Sequence, residues 1–245
     1  MFTRLLIGLD GSPNADEALE QAVVLGKRFK AKLVVAHVEE GDGAGDLLDR
    51  ARERVRDAGL PVEAIVRRGD PDVELAALAR DVDTVLVGRR GRSSETRGAD
   101  VVGTTVASLI RIAERTVIVC GSKPSQMERC AIAYDGRETA QRALELVARF
   151  ASVTQSTVHV IHATIDSAIG TMVVGEAEAV LSLQGVAFVT HLEPGTPGEA
   201  VARVIHDTRC DALFAGAHLG KRSAVTVSHA EEILLHTDIP VVIQP

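Results

Sequence analysis

Short continuous apolar runs alternate along the chain with stretches whose apolar residues recur at three- and four-residue spacing. Leu5-Leu6-Ile7-Gly8-Leu9 runs into Asp10-Gly11-Ser12, and Ala15, Ala18, Leu19 and Ala22 then mark one face of a helix. Val34-Val35-Ala36-His37-Val38 predicts a second strand, Val62 to Val66 a third and Thr84-Val85-Leu86-Val87 a fourth. A helix with Val73, Leu75 and Leu78 as its apolar face follows Gly69-Asp70-Pro71. Another, with Val102, Val106, Leu109, Ile110 and Ala113, opens at Gly103-Thr104-Thr105. Val117-Ile118-Val119 closes the series. Runs apolar at every position suit parallel strands buried on both faces, and strands alternating with helices imply right-handed βαβ units.

The whole pattern then recurs. Cys130-Ala131-Ile132-Ala133-Tyr134-Asp135-Gly136 repeats the first strand and its Asp-Gly, with Asp135 standing 125 positions after Asp10. Ala140, Ala143, Leu144 and Val147 repeat the helix face, and His162 stands 125 after His37. A third strand over Val186 to Thr190 and a helix with Val201, Val204 and Ile205 follow. Ala212 to Gly216, a helix around Ser228 to Leu235, and Val241-Val242-Ile243 complete the copy. A repeat of this length is a duplicated domain. The expected architecture is α/β: two tandem doubly wound, Rossmann-like domains, each a five-stranded parallel sheet flanked by four helices, spanning 1–122 and 128–245. Turn formers at Gly121 to Gln126 make the linker.

Composition narrows the function classes. The net charge of −7 is the wrong sign for a phosphate-neutralising nucleic-acid face. Cys120, Cys130 and Cys210 lack metal-type clustering and suit a reducing compartment. Met1 leads almost directly into a strand, and no apolar run reaches membrane-spanning length. The expectation is a soluble, cytoplasmic protein without nucleic-acid or membrane partners.

The stretch after the fourth strand carries the most chemistry. In Gly88-Arg89-Arg90-Gly91-Arg92-Ser93-Ser94 the glycines allow close approach to an anion, and Arg89, Arg90, Arg92 and Arg97 raise the local potential. The helix start at Gly103-Thr104-Thr105 adds oriented N–H groups and hydroxyls. In an open α/β sheet such groups converge beyond the carboxyl ends of the strands, together with Asp10 and Val38.

The opening Asp-Gly-Ser and the Gly-x2-Gly loop resemble the universal stress protein family over essentially the whole chain, twice. That family has five parallel strands and four helices. In its nucleotide-binding members a Gly-x2-Gly-x9-Gly-(Ser/Thr) motif holds ribose and phosphates. The resemblance implies ATP as ligand, with Asp10 by the ribose, Val38 at the adenine edge, Gly88 and Gly91 under ribose and phosphate, and Gly103, Thr104 and Thr105 at the phosphates. Gly8 and Val87 on the adjoining strands complete the set, and Asp10 is the candidate for a magnesium ion held through the phosphates. Positions 92 to 102, eleven residues, stand where the family pattern has nine. The second copy departs further. Gly216-Ala217-His218-Leu219-Gly220 has three residues between its glycines, no Gly-(Ser/Thr) opens the following helix, and Arg137 replaces Ser12. Its loop reads as degenerate, with Asp135, Lys221 and Ser228 as its remaining contacts.

Other signals are weaker. Gly220-Lys221 fails the P-loop pattern at Ala215 and Arg222, and no dinucleotide fingerprint follows either opening strand. His206 and Cys210 share helical spacing but have no second ligand pair. His37 and His162 read as packed, hydrogen-bonded residues. Ser93 and Ser94 lack a nucleophile elbow, and Cys120 reads as core. A nucleotide-dependent stress-response or signalling module is therefore expected, with slow ATP hydrolysis or group transfer and a ligand-free scaffold as alternatives. The resemblance also implies a pseudo-dimer in which the uncharged strands at 116–120 and 239–243 pair within the chain, with a homodimer as a further form.

Overall fold

The computed structural model describes residues 2–39, 45–91, 102–217 and 229–245. The chain divides into two compact units, Met1–Gln126 and Met127–Pro245.

The first unit runs β1 (Arg4–Leu9), α1 (Pro13–Phe29), β2 (Lys32–Glu39), α2 (Gly45–Asp57), β3 (Val62–Arg68), α3 (Pro71–Ala79), β4 (Thr84–Val87), α4 (Thr104–Ile112) and β5 (Thr116–Val119). Its strands lie in the order β3-β2-β1-β4-β5, every pair parallel. The second unit runs β6 (Arg129–Ala133), α5 (Glu138–Thr154), β7 (Thr157–Ala163), α6 (Ser167–Leu183), β8 (Phe188–Glu193), α7 (Pro197–Thr208), β9 (Ala212–Gly216), α8 (His229–Leu235) and β10 (Val241–Gln244). Its order, β8-β7-β6-β9-β10, is the same, again with every pair parallel. In each unit the order reverses beside the first strand, which opens a crevice over the strand ends.

The repeat reaches into the backbone. Left-handed residues recur 125 positions apart at Phe2 and Met127, Gly11 and Gly136, and Lys30 and Gln155. Lys30 and Gln155 end α1 and α5, where such a residue lets the next N–H turn back onto the helix, here to Gly26 O and Ala151 O. An aspartate also pins each first strand. Asp83 Oδ2 accepts from Thr3 N (2.6 Å), Thr3 Oγ1 (2.5 Å) and Arg4 N (2.9 Å), and Asp211 accepts from Glu128 N and Arg129 N.

The core is aliphatic, with Leu5, Leu6, Ile7, Leu33, Leu86 and Ile118 fully buried in the first unit. Ala15, Ala18, Leu19 and Ala22 of α1 and Ala140, Ala143, Leu144 and Val147 of α5 face it as their spacing predicts. Three expectations shift. Val73 is 53% exposed while Leu75 and Leu78 of the same helix are buried, so α3 packs through a narrower face. Val102 lies ahead of α4 rather than on it. In the second unit the third strand starts at Phe188, and Val186 packs in the turn before it. The expected linker is tied down, since buried Gln21 donates to Ser125 O (3.0 Å) and accepts from Ser125 N (2.7 Å).

Candidate functional site

A cavity of about 570 Å³ lies over the strand ends of the first unit. All nine residues singled out from the sequence, Gly8, Asp10, Val38, Val87, Gly88, Gly91, Gly103, Thr104 and Thr105, line it. They come from β1, β2, β4, the loop after β4 and the start of α4. His37, Arg90, Pro71 and Leu75 line it too, as do Asp46, Leu47 and Arg50 of α2. Nothing local in the sequence connected α2 with this crevice. Of the basic loop, Arg92 and Arg97, with Ser93 and Ser94, lie outside the described residues, as do His218, Lys221 and Ser228 of the second unit.

Asp10 is held in place. Its Oδ1 accepts from Ser12 N (3.0 Å) and Ser12 Oγ (2.6 Å), and Ser12 Oγ in turn accepts from Ala15 N (3.3 Å), capping α1 with Pro13 at its first position. Gly91 lies against the other carboxylate oxygen, where a Cβ would stand 2.6 Å from Asp10 Oδ2. His37 Nδ1 donates to Leu9 O at 2.6 Å, and its equivalent His162 donates to Tyr134 O at 2.8 Å, so both rings are packed and bonded while lining their cavities.

The glycines divide by what requires them. A Cβ on Gly88 would lie 2.5 Å from the backbone of Asn14, and one on Gly216 would lie 2.5 Å from the backbone of Thr139, so both are demanded by the first turn of the helix above them. A Cβ on Gly8 would meet Leu75 at 2.9 Å. The second unit has Ala133 and the shorter Val201 at these places, a compensated pair. Gly103 differs, because a Cβ there would make only ordinary contacts, the nearest at 3.4 Å to Arg89 O. Its N–H donates to Arg89 O at 3.2 Å, which anchors the loop on α4 and leaves anion donors to Thr104 and Thr105.

Among the described residues no side chain caps α3 at Asp70 or α4 at Gly103, although the first turns of both helices line the cavity. An uncapped helix start facing a cavity beside an arginine favours an anion, and α4 is the better placed of the two, since Asp72 and Glu74 occupy the first turn of α3 and no acidic residue lies in that of α4. Among the described residues no cluster of three or more His, Cys, Asp or Glu side chains could hold a metal.

The second unit has a cavity of about 150 Å³ at the equivalent place. Asp135 Oδ1 accepts from Arg137 N at 3.0 Å, as Asp10 accepts from Ser12 N, but the Arg137 guanidinium then stands 3.6 Å from Asp135 Oδ2. The Tyr134 hydroxyl donates to Glu176 Oε2 (3.3 Å), and burial together with that carboxylate pushes its pKa up to about 12. α7 is closed by a capping box, Thr196 Oγ1 accepting from Glu199 N and Glu199 accepting from Thr196 N, while Glu232 of α8 accepts from Gly198 N. Cys120, Cys130 and Cys210 are all buried thiols, and burial raises the pKa of Cys120 and Cys210.

Two doubly wound sheets, each with a crevice at its switch point, place the chain among tandem Rossmann-like proteins. A profile of the universal stress protein family matches residues 1–49 and 127–245, and the chain belongs to that family. It is 27% identical over 241 residues to universal stress protein Slr1230 of Synechocystis, covering 96% of this chain and 81% of that protein. It is 27% identical over 122 residues to universal stress protein YxiE of Bacillus subtilis, covering 82% of that protein. The crystal structure of a universal stress protein from Archaeoglobus fulgidus shares the fold, with a TM-score of 0.79 and 21% identity over the whole of this chain and 98% of that one. The matched segments leave out the loop from Gly88 to Gly103, so the chemistry there rests on geometry. Among the described residues no helix is long and apolar enough to cross a membrane.

Proposed function

We propose that the first unit binds ATP, and that the chain serves as a nucleotide-dependent stress-response or signalling module in the cytoplasm rather than as a fast catalyst. The observation that carries this reading is the convergence of Asp10, Val38, Gly91, Gly103, Thr104 and Thr105 on one cavity with two uncapped helix starts. Its volume of about 570 Å³ falls within the usual range for small-molecule sites. The nucleotide would supply an adenine, a ribose and a chain of anionic oxygens, with magnesium held by Asp10 and those oxygens. The backbone at Val38 takes the adenine edge, and Asp10, held by Ser12, faces the ribose. Gly91 and Gly103 keep the loop free of side chains where the phosphates approach, and Thr104, Thr105 and Arg90 donate to them. Pairing of the two units through β5 and β10 belongs to the same proposal.

Calorimetric titration of the nucleotide-stripped chain tests it. The expected result is one tight ATP site per chain, lost in Gly91→Val, whose side chain would displace the Asp10 carboxylate. Equal affinity at both units, or wild-type binding by Gly91→Val, would refute the assignment. Turnover above about 1 per second, the low end of ordinary enzyme rates, and abolished in Asp10→Asn, would replace the binding module with an enzyme.

A further inference from the structure

The second unit carries a pair of histidines where the first has aliphatic side chains. His159 of β7 and His191 of β8 lie on neighbouring strands, with Nδ1 of the one 3.0 Å from Nε2 of the other. Their rings stack, centroids 5.2 Å apart and planes 24° from parallel, and both residues are half-buried. Leu33 opposes Val62 where Val158 opposes Phe188, so the equivalent residues of the first unit are Val34 and Ile65, which do not titrate.

Two ring nitrogens at this distance share one hydrogen. Whichever ring donates, the other must present a bare lone pair, because a neutral imidazole has one N–H and one acceptor. One added proton can sit on the far nitrogen of the donor ring and leave the bond intact. A second has only the shared lone pair to take, and it would set two N–H groups and two cations face to face.

The surroundings oppose that proton. Leu192 and His162 stand against Gly170 of α6, so alternation turns His159 and His191 to the other face of the sheet, toward α7. Arg129 of β6 and Glu193 of β8 share that face by register. Arg129 donates to Thr208 O at the end of α7 (3.4 Å), and Arg203 of α7 pairs with Glu193 (2.6 Å). Asp207, one turn beyond Arg203, is paired with His206 (3.0 Å). Both carboxylates are thus engaged, while Arg129 repels a charge on His159. Burial, the neighbouring ring and Arg129 hold His159 below the ordinary histidine value, and burial outweighs Glu193 in lowering His191.

We infer that the His159–His191 pair is a proton-sensitive latch on the edge of the second unit, closed near neutral pH and opened by acid, when the rings part and β8 loosens from β7. β8 ends the strand order, and β7 is its one strand neighbour among the described residues, so a lost contact between the two is not made up from the other side. A histidine with a depressed folded pKa binds fewer protons folded than unfolded. Stability is therefore full above the unfolded value of about 6.5 and declines as pH falls from there through the lower folded value. A metal ion is a poorer occupant of the pair, because no third His, Cys, Asp or Glu joins it among the described residues and Arg129 repels a cation.

Histidine ring NMR and amide exchange on the full chain from about pH 7.5 to about pH 5 test the latch. The two rings should titrate in coupled steps below about 6.5. Protection of Val189 to Leu192, corrected for the intrinsic exchange rate, should fall by about tenfold or more across that range. Ala64 to Arg67 of the equivalent strand β3 should hold steady. His191→Gln leaves His159 a hydrogen-bonding partner that does not titrate, and should match wild-type protection at neutral pH while abolishing the acid loss. His159→Asn asks the same from the other strand and serves if that variant folds poorly. Independent titration of each ring at about 6.5, β8 protection that holds at about pH 5, an acid loss that persists in both variants, or stoichiometric zinc that shifts both ring signals overturns the inference.

Discussion

Asp10 and Asp135 end equivalent strands, precede equivalent left-handed glycines and accept equivalent N–H bonds at 3.0 Å, yet one borders a cavity of about 570 Å³ and the other a cavity of about 150 Å³. The Asp-Gly turn is therefore sufficient for the strand-to-helix connection and says little about a ligand. The differences lie in side chains. Ser12 bonds Asp10 and caps α1, whereas Arg137 sets a cation against Asp135. Ala36 on the cavity floor is replaced by Ile161, and the uncapped start of α3 is replaced by the boxed start of α7. One half presents donors to the crevice, and the other spends its donors on itself.

Grafting the difference should have the largest effect. Ser12→Arg puts the second unit's cation beside Asp10 and removes the hydroxyl that bonds it. ATP affinity should fall about 100-fold, or about 2.7 kcal/mol, measured by calorimetry. The converse, Arg137→Ser, should gain no comparable site, because Ile161 and the capped α7 remain. Wild-type binding by Ser12→Arg would show that residue 12 is not what separates the halves.

The glycines come next, and they sharpen the comparison because the two units should respond alike. Gly88→Ala and Gly216→Ala each force a Cβ to 2.5 Å from helix backbone, which cannot move as a side-chain tip can. Each should destabilise its own unit by about 2 kcal/mol, read from urea unfolding. Gly103→Ala should leave stability within about 0.5 kcal/mol and weaken ATP binding instead. Equal stability losses at all three positions would mean that Gly103 too is a packing glycine.

That division was invisible in the sequence, where Gly88, Gly91 and Gly103 read as one motif. A glycine required by a neighbouring helix looks the same as one required by a ligand until the neighbour is in place. The tandem sheets were legible because a strand buried on both faces is a local signal, and the 125-residue offset doubled every such signal. Helix faces were less so. Spacing put Val73 on the buried side of α3 and gave no warning of the exposed Ile169 and Met172 of α6, since which stripe is covered depends on what lies against it. The contribution of Asp46, Leu47 and Arg50 to the cavity depends on the crossing of distant segments, which periodicity does not encode.

Helix starts give a smaller effect. Thr196→Ala removes the hydroxyl half of the capping box on α7 and should cost about 1 kcal/mol, read from urea unfolding of the second unit. Asp70→Ala at the matching place before α3 removes no side-chain cap bond and should stay within about 0.5 kcal/mol. A loss at Asp70 as large as that at Thr196 would mean that α3 is capped in solution, and its start would then be unavailable to an anion.

The smallest expected effect concerns the acid limb of stability. Burial works to raise the pKa of Asp83, but the hydroxyl of Thr3 and the N–H groups of Arg4 and Thr3 outweigh it and hold the carboxyl below its ordinary value. A carboxylate whose folded pKa is depressed binds fewer protons folded than unfolded. Its stabilisation is present above the unfolded pKa of about 3.9 and fades as pH falls through the lower folded value. Bonds to a charged acceptor are worth about 1.5–3 kcal/mol when shielded, and solvent screening of this largely exposed group reduces that to about 1 kcal/mol. Asp83→Asn should therefore lower stability by about 1 kcal/mol at neutral pH and flatten the decline between pH 5 and pH 2, measured by urea unfolding across that range. An acid limb as steep in the variant as in the wild type would place the titrating group elsewhere, and β1 would then owe its register to strand pairing alone.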